Sequence, residues 1–429
     1  MNRDMEINGE IVNDKVRYAD LNLSPELMRA IDKKGYVQAT PVQAGAIPYF
    51  MEWKDVIAKA PTGTGKTFAF GIPMVEHADP QGTQVTGLVL APTRELAIQI
   101  RDELRDLCAF KEGVRTVCLY GGQPIDKQIL QLKKAPQIVV ATPGRLMDHV
   151  KRRTVRLDKV ETVVLDEADR MLDMGFWPAM KKIIGATPSS RQTLLFSATI
   201  DQSIQKNLGS LLNDPAIVEI ARNGETAKNV EQFMMPIANF KKQELLEAVL
   251  EEKGSDRIIV FARTKNRTED CSEALCDAGY RAESIHSDKS QGQRKRALDN
   301  FRRGRTSILV ATDVLARGID VPDVDHVINF DLPDMPEDYV HRIGRTGRAG
   351  ETGYAISFVS PEAKAQLLDI EKLLGEHIPT LDIDGYDATE AEKALAGQFV
   401  PKTTVGSAAF SRSLRRNGAG GFGSSGVSL

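Results

Sequence analysis

The sequence has few of the features that mark disulfide-bonded or metal-binding proteins. Only four of the 429 residues are cysteines, and no two of them form a CxxC pair. Because zinc sites and disulfide frameworks need paired or closely spaced cysteines, we expect neither. His286 and His341 lack a set of partner ligands, so we expect them to form core or interface hydrogen bonds and not to bind a metal. The four cysteines are Cys108, Cys118, Cys271 and Cys276.

The sequence also lacks long apolar stretches and a strong net charge. No run of about 18 apolar residues occurs, and the first ten residues, MNRDMEINGE, contain no apolar core of a signal peptide. We therefore expect no membrane association, and a reducing, cytoplasmic location. The formal net charge is −3, so any binding of nucleic acid must depend on a local basic patch.

Apolar runs and helical patterns alternate through most of the chain, which predicts an α/β fold. Stretches such as GLVLAP (87–92) and TSILVATD (306–313) are typical of parallel strands that are buried on both faces. A chain of 429 residues is too long for one core, which favours two domains. We predict domains at 1–220 and 230–386, a polar linker at 221–229, and a short helical stretch with a disordered, Gly/Ser-rich basic tail at 387–429.

Polar signatures follow most of the predicted strands in the first half. Parallel α/β sheets bind ligands beyond the carboxyl ends of their strands, so these signatures should meet at one edge. The signatures are APTGTGKT (60–67), APTREL (91–96), ATPGR (141–145), DEAD (166–169) and SAT (197–199).

The segment APTGTGKT has the pattern of a phosphate-binding loop. Gly63 and Gly65 allow backbone N–H groups to approach phosphate oxygens, and the helix that follows adds positive potential. Lys66 can reach the β- and γ-phosphates, and the Thr67 hydroxyl can bind Mg²⁺. A glycine-rich turn that ends by chance in Lys-Thr is the alternative interpretation, which the preceding strand and following helix disfavour.

Three carboxylates directly follow the buried strand TVVL (162–165). Clustered acids at such a place cost stability unless a cation compensates them, although an acidic solvated loop is the simplest interpretation of the isolated segment. Beside a phosphate loop, Asp166 is placed to hold Mg²⁺ and Glu167 to orient and activate the attacking water. We expect Asp169 to organise the site by hydrogen bonding.

The second half contains no phosphate-loop pattern, but it contains the basic segment YVHRIGRTGRAG (339–350). Its arginines, Arg342, Arg345 and Arg348, recur at intervals of three. In isolation such a segment is more typical of a solvated basic surface. Opposite a phosphate site, Arg345 and Arg348 would serve as arginine fingers for the charge that develops on the γ-phosphate.

In this order and spacing, these segments resemble the DEAD-box ATP-dependent RNA helicases of superfamily 2, as a minimal, bacterial-type member, over residues 18–360. The resemblance implies two tandem RecA-like domains with parallel sheets, joined by a short linker. Further matching segments are GYVQATPVQ (35–43), GG (121–122), VFARTK (260–265), QGQR (291–294), ATDVLARGID (311–320) and HRIGRTGR (341–348).

The resemblance also implies residue roles. Gln43 would bond the adenine edge, Tyr36 would stack on the ring with Tyr18 behind it, and Asp320 would contact the ribose. The implied nucleotide-binding set is Tyr18, Tyr36, Gln43, Ala60, Pro61, Thr62, Gly63, Thr64, Gly65, Lys66, Thr67 and Asp320. RNA contacts are implied for Pro92, Thr93, Arg94, Gly122, Thr142, Gly144, Arg145, Arg263, Gln291, Arg294, Thr312 and Asp313. Coupling between the domains is implied for Asp169, Ser197, Thr199, His341 and Arg342.

The resulting hypothesis is an ATP- and Mg²⁺-dependent RNA helicase, in which ATP and RNA together close the two domains and separate short duplexes. Hydroxyls, amides and guanidinium groups suit the RNA backbone, so binding should be indifferent to sequence. Ribosomal or mRNA-decay particles are the expected setting. Two alternatives remain open at this point: an ATP-gated RNA clamp with little unwinding, and a DNA helicase.

Overall fold

The computed structural model describes residues 16–60, 63–199, 207–220, 230–254, 256–313, 324–347 and 353–381, with the backbone of three short strands at 5–7, 10–12 and 404–405. The chain forms two compact units, residues 1–223 and 224–429, and each is described by itself. The segment 221–229, predicted as a linker, lies outside the described residues.

The first unit is a largely parallel sheet with helices on both faces. Its strands are β1 (Met5–Ile7), β2 (Glu10–Val12), β3 (Val56–Lys59), β4 (Gly87–Leu90), β5 (Thr116–Leu119), β6 (Ile138–Ala141), β7 (Thr162–Leu165), β8 (Gln192–Ser197) and β9 (Ala216–Ile220). Within the described residues the order is β2-β1-β9-β3-β8-β7-β4-β6-β5. Strands β3 to β9 are parallel, while β1 is antiparallel to β2 and β9.

Successive residues of the central strands face opposite sides of this sheet, as the two-residue period of a strand requires. Val89 packs in the core cluster on one face, whereas Leu88 and Leu90 pack in the cluster on the other. Both clusters are buried, which explains why these strands are continuous apolar runs. The helices are α1 (Pro25–Lys33), α2 (Pro41–Met51), α3 (Lys66–His77), α4 (Arg94–Leu107), α5 (Ile125–Leu132), α6 (Pro143–Lys151), α7 (Ala168–Asp173) and α8 (Trp177–Gly185).

The second unit repeats this plan with strands that all run parallel. They are β10 (Val230–Pro236), β11 (Ile258–Phe261), β12 (Ala282–Ile285), β13 (Ile308–Ala311), β14 (His326–Asn329), β15 (Gly353–Val359), β16 (Thr380–Leu381) and β17 (Thr404–Val405). Their order, in the part of the chain that is described, is β12-β13-β11-β14-β15-β10-β16-β17. The helices are α9 (Lys242–Lys253), α10 (Lys265–Asp277), α11 (Gln291–Arg302), α12 (Pro336–Ile343) and α13 (Lys364–Leu374).

The two-sheet α/β architecture predicted from the sequence is confirmed, and every strand predicted from an apolar run is present. The runs did not reveal β9 and β10, nor the short strands β1, β2, β16 and β17. Strand β9 carries Glu219 and leaves Ile217 partly exposed, and β10 includes Glu231 and Gln232, so neither reads as a continuous apolar run.

Three further features bear on the sequence predictions. Strand β17 lies within the segment 387–429, for which the sequence predicted a disordered tail, and the rest of that segment is outside the described residues. All four cysteine thiols are free, and three of them are buried. Among the described helices, none combines the length and apolarity needed to cross a bilayer.

Candidate functional site

The predicted motifs of the first unit lie side by side at one edge of its sheet. Since β3, β8, β7, β4, β6 and β5 are consecutive and parallel, their carboxyl ends share that edge. The phosphate-loop segment follows β3, and the SAT and DEAD segments follow β8 and β7. The APTREL, ATPGR and GG segments follow β4, β6 and β5. The acids therefore lie between the phosphate loop and the predicted RNA contacts.

The phosphate-loop segment connects β3 to the N-terminus of α3. Gly63 and Gly65 have φ angles of 84° and 87°, in the left-handed region that favours glycine. A Cβ atom on Gly65 would lie 2.4 Å from Gln43 Nε2, so no other residue fits there without displacing Gln43. Lys66, the first residue of α3, is 7% exposed, and its Nζ donates to Ala60 O at 3.1 Å. Pro61 and Thr62 lie outside the described residues.

These features fit a bound phosphate group. The first N–H groups of a helix have no intrahelical acceptor, and the helix terminus carries positive potential. The lysine ammonium and the half-buried Thr67 hydroxyl in the first turn of α3 complete the set of donors and oxygen ligands. Thr64 lies in the turn directly before them.

Gln43 joins the predicted adenine-reading segment to the phosphate loop. Its Oε1 accepts from the Tyr18 hydroxyl and from Thr40 N, the latter at 2.8 Å, and its Nε2 donates to Gly65 O at 2.9 Å. Burial raises the pKa of Tyr18 to about 12, so the hydroxyl stays protonated as a donor. Tyr36 is 49% exposed, and its ring packs edge-on against Phe68 with centroids 5.5 Å apart. An exposed aromatic ring beside the loop is available for stacking.

Asp166 and Glu167 form a buried acidic pair at the end of β7. Asp166 is 3% exposed, and its Oδ1 accepts from Glu167 N at 3.0 Å. The pKa of Asp166 is raised to about 7, chiefly by burial. The positive charge of Lys66 lowers the pKa and the negative charge of Glu167 raises it, and both effects are smaller than that of burial. Glu167 has a φ of 51°, an unfavourable angle for a residue with a side chain and one that is typical of functional sites. This oxygen donor set suits a hard divalent cation such as Mg²⁺.

Asp169 links the acidic segment to the end of the neighbouring strand. Its Oδ2 accepts from Ala198 N and Thr199 N, both at 3.1 Å, and from the Thr199 hydroxyl at 3.2 Å. The Ser197 hydroxyl donates to Thr199 O at 2.6 Å. The carboxylate of Asp169 is therefore occupied in hydrogen bonds that hold residues 197–199.

The other half of the edge carries the predicted RNA contacts of this unit. The Thr93 hydroxyl caps α4 by accepting from Leu96 N at 3.3 Å, after the buried Pro92. The Arg94 guanidinium lies against Gly122, whose φ is 80°, and a Cβ atom there would lie 2.2 Å from Arg94 Nη1. A glycine is thus required for this packing.

The start of α6 supplies the remaining predicted contacts of the first unit. Thr142 N donates to Leu119 O at 3.0 Å, and Gly144 has open space where a side chain would be. Arg145 Nη1 donates to Gln123 O at 2.9 Å. Arg94 and Arg145 therefore lie against the same loop after β5, one at Gly122 and the other at Gln123.

Sequence reasoning missed the buried polar residues behind that loop. Gln128 on α5 and His149 on α6 are each 0% exposed and are joined through Gln128 Oε1 and His149 Nε2 at 3.1 Å. Gln128 Nε2 donates to Tyr120 O at 2.9 Å. Neither residue belongs to a quoted motif, and a histidine four residues beyond Arg145 was the only available signal.

In the second unit, the predicted coupling and RNA residues are tied together by ion pairs. Arg342 is buried and pairs with both carboxylate oxygens of Asp313, at 2.7 Å for Nη2 and Oδ2. Its Nη1 donates to Asn329 Oδ1 at 3.1 Å and to the main-chain oxygen of Asp331. The residue predicted for RNA binding, Asp313, is therefore held by the residue predicted for coupling.

Asp331, which no sequence pattern singled out, is the centre of a second cluster. Its carboxylate accepts from Lys242 Nζ at 2.9 Å, from Arg267 Nε at 2.8 Å and from Arg263 N at 3.1 Å. Burial alone would raise the pKa of Asp331, but these donors outweigh it and the pKa lies below its usual value. The cluster fixes the loop that carries the predicted RNA contact Arg263.

The remaining described residues of the predicted site in the second unit lie in or just after α11, α12 and β13. Arg345 is 3% exposed, and its Nε donates to His341 O at 3.3 Å. Gln291 begins α11, and Arg294 on the same helix is buried. Thr312 N donates to Ile285 O at 3.4 Å. Asp320 and Arg348 lie outside the described residues.

Comparisons with known proteins identify the family. Residues 40–207 match the family model DEAD/DEAH box helicase, and residues 241–350 match Helicase conserved C-terminal domain. The chain is 47% identical over 385 residues to the DEAD-box ATP-dependent RNA helicase CshA of Geobacillus kaustophilus, covering 88% of this chain and 82% of the relative. The chain belongs to the DEAD-box ATP-dependent RNA helicases. CshA of Bacillus subtilis is 46% identical over 385 residues, or 88% of this chain and 78% of CshA.

Solved structures of DEAD-box helicases share the fold. Mss116p bound to single-stranded RNA and AMP-PNP has a TM-score of 0.78 and 29% identity, covering 92% of this chain and 84% of that protein. S. cerevisiae Dbp5 bound to RNA and ADP BeF3 has a TM-score of 0.77 and 30% identity, covering 88% and 99%. The sequence-based family assignment is confirmed. This DEAD-box protein is an ATP-hydrolysing enzyme that depends on ATP and acts on RNA.

Proposed function

We propose that this DEAD-box helicase hydrolyses ATP at the edge of its first sheet, between the loop after β3 and the acids after β7. The main support for this proposal is that β3, β8 and β7 are neighbours in the sheet, which brings Lys66, Asp166 and Asp169 to one edge. The amides of residues 63–66 and the Lys66 ammonium would bind the phosphates. The Thr67 hydroxyl and the Asp166 carboxylate would hold Mg²⁺, whose charge would offset that of the phosphates.

Glu167 is the residue we assign to the attacking water. Its neighbour Asp166 would be committed to the cation and Asp169 is committed to Thr199, which leaves Glu167 as the acid available for orienting water. Its position at the N-terminus of α7, with φ of 51°, fixes where the carboxylate can reach. The carboxylate would accept the proton that the water loses as it attacks.

Adenine selectivity is assigned to Gln43, Tyr18 and Tyr36. The Tyr18 hydroxyl and Thr40 N donate to Gln43 Oε1 and so orient the Gln43 amide. One N–H of Gln43 Nε2 donates to Gly65 O, and the second N–H is the one we assign to the base. That N–H, with the exposed Tyr36 ring, would read the edge and face of the base. The same amide contacts the phosphate loop, so base and phosphate recognition are connected.

Coupling to RNA is assigned to both units. Arg345 and Arg348 would stabilise the charge that develops on the γ-phosphate when the units close on ATP and RNA. Residues 197–199, held by Asp169, would transmit the state of the acids. Closure would bend the bound strand and separate a short duplex without translocation, and hydrolysis would release it.

The proposed RNA track consists of donors that suit the backbone. Arg94, Thr142 and Arg145 on the first unit and Arg263 and Thr312 on the second offer guanidinium, hydroxyl and amide groups, which contact phosphate and sugar without reading bases. We infer sequence-independent binding, with remodelling of cytoplasmic ribosomal or mRNA-decay particles as its use. This last step is supported by the family resemblance alone.

The variant Glu167→Gln tests the assignment of the acid. We expect RNA-stimulated ATP hydrolysis to fall by about 10²-fold or more while RNA binding in the presence of ATP is retained, because the carboxamide cannot accept the proton. Glu161→Gln is the matched control, since Glu161 is an exposed glutamate just before the other end of β7. Unchanged hydrolysis in Glu167→Gln would show that another residue activates the water.

Strand separation needs its own measurement. A short RNA duplex with a single-stranded extension should be unwound repeatedly with ATP, and only once per enzyme with a non-hydrolysable analogue, because release requires hydrolysis. RNA binding gated by ATP without strand separation would instead identify a clamp. Equal stimulation by a DNA of the same sequence would contradict the assignment of RNA as substrate.

A further inference from the structure

A network of hydrogen-bonded side chains, formed by Gln128, His149 and Thr154, lies behind the loop that follows β5. Gln128 and His149, both 0% exposed, bridge α5 and α6. The network continues from His149 Nδ1 to the Thr154 hydroxyl at 2.8 Å, just beyond the end of α6. Placing a glutamine and a histidine in a fully buried position costs free energy unless their polar atoms find partners.

The hydrogen bonds of Gln128 leave one consistent arrangement. Its Nε2 donates to two acceptors, Tyr120 O at 2.9 Å and Gln123 Oε1 at 3.1 Å, so both N–H groups are used. Its Oε1 must therefore accept from His149 Nε2–H. Burial lowers the pKa of His149, which favours a neutral ring with a bare Nδ1. The single proton of the Thr154 hydroxyl is within reach of two acceptors of His149, Nδ1 at 2.8 Å and the main-chain oxygen at 3.1 Å, and Nδ1 is the nearer. Each polar side-chain atom of Gln128 and His149 then has a partner.

This network and two arginines contact the same loop. Gln123 is held twice, by Gln128 through its side chain and by Arg145 through its main-chain oxygen. Gly122, next to it, is packed against the Arg94 guanidinium. The buried amide and the two guanidinium groups therefore all hold this loop.

We propose that Gln128, His149 and Thr154 are positioning residues for RNA binding. They hold residues 120–123 so that the Gly122 amide and the Arg145 guanidinium have the spacing of an RNA backbone before RNA arrives. This inference rests on the proposed function, which assigns Gly122, Arg94 and Arg145 to RNA. Without the hydrogen bonds of Gln128, His149 and Thr154, part of the binding free energy is spent on ordering the loop. RNA affinity then falls, while hydrolysis at saturating RNA is preserved.

The experiment compares Gln128→Leu with Gln192→Leu in the full-length protein. Gln192 is a matched control because it is a buried glutamine of the same unit, whose Nε2 donates to two main-chain oxygens, Phe50 O at 3.0 Å and Lys54 O at 2.7 Å. It lies at the start of β8, the opposite end from the proposed RNA contacts. Both variants lose the same kind of bond and should lose similar thermal stability.

The readouts are the RNA concentration for half-maximal ATPase activity, the ATPase rate at saturating RNA and the KM for ATP. We expect Gln128→Leu to raise the half-maximal RNA concentration by about tenfold, and Gln192→Leu to leave it unchanged, with the other two readouts preserved in both. A milder pair guards against misfolding. Thr154→Val should raise the half-maximal RNA concentration, and Thr154→Ser, which keeps the hydroxyl, should restore it.

Arg145→Ala serves as the reference for the proposed function. If Arg145→Ala raises the half-maximal RNA concentration while Gln128→Leu and Thr154→Val behave like Gln192→Leu, the positioning role is wrong and the RNA contact stands. If Arg145→Ala also leaves that concentration unchanged, the RNA contact itself is wrong and the positioning role is lost with it.

Discussion

Asp166 follows β7 in the first unit and Asp331 follows β14 in the second, and both are buried carboxylates at the end of a central strand. Their environments differ. Burial raises the pKa of Asp166 to about 7, whereas the pKa of Asp331 is lowered in spite of burial. Among the described residues, no lysine or arginine forms an ion pair with Asp166, while Lys242 and Arg267 both pair with Asp331.

The difference separates a carboxylate that stabilises the fold from one that is available to a ligand. A buried carboxylate that already has ion-pair and amide donors has its charge satisfied internally. Asp166 accepts one main-chain N–H and is attracted by Lys66, but it has no ion pair within the described residues, so its charge is compensated only in part. A bound cation would complete the compensation. The first unit thus leaves acids available at its edge, and the second unit uses its acids to fix arginines and loops.

The largest expected effect concerns an arginine of the second unit. Replacing Arg345 with Ala should lower the ATPase rate at saturating RNA by about 10³-fold, as for an arginine finger, with smaller changes in KM for ATP. Arg345→Lys should recover only part of the rate, because an ammonium lacks the planar fork. Because Arg345 is buried, circular dichroism and thermal melting must first show that each variant is folded. A full rate in Arg345→Ala would exclude Arg345 from the chemistry and leave Arg348 as the arginine finger assigned to the second unit.

Exchanging the two carboxylates for amides tests the comparison through stability. Asp331→Asn should lower the free energy of unfolding by about 3–5 kcal/mol, because Lys242 and Arg267 lose the charge that compensates them. Asp166→Asn should leave it unchanged or raise it, because a buried charge without an ion pair is removed. Urea denaturation of both variants without nucleotide gives the two values. A larger loss for Asp166→Asn would reverse the assignment of roles.

The dependence of stability on pH sharpens the same contrast. The pKa of Asp331 is lower in the folded protein than in the unfolded chain, so its contribution is fully present above the unfolded value of about 4 and is lost as the pH falls through the folded pKa. The stability difference between the wild type and Asp331→Asn should therefore be constant between about pH 5 and pH 8, and shrink only below about pH 4. A difference that changes near neutral pH would indicate another titrating group.

The smallest effect is expected at a single RNA contact. Arg145→Ala should weaken RNA binding several-fold on every sequence tested and reduce the slope of log affinity against log salt by about 0.7, the value for one phosphate contact on a single strand. Gln123 accepts from Arg145 through its main-chain oxygen, so a Gln123 variant retains that bond and makes a useful comparison. An unchanged salt slope would show that Arg145 serves the loop and not the phosphate.

The sequence was sufficient for the features that depend on local pattern. Asp166 was identified because it directly follows a continuous apolar run, and Lys66 because it ends the glycine-rich segment after β3; parallel strands bring such positions to one edge. Asp331 was not identified, although it follows such a run as well, because its importance comes from Lys242 and Arg267, which are 89 and 64 residues away in the chain. Gln128 and His149 were missed for the same reason, since their spacing of 21 residues has no periodic signal.

The sequence by itself determined the chain order of the motifs and of the continuously apolar strands, the class of chemistry and the family, because apolar runs and glycine-rich turns act through neighbours along the chain. Only the tertiary structure decided which carboxylate is neutralised and which stays available, and which buried amide holds the loop after β5. Those properties depend on the dielectric environment and on donors from distant segments, and both exist only after the sheets and helices have packed.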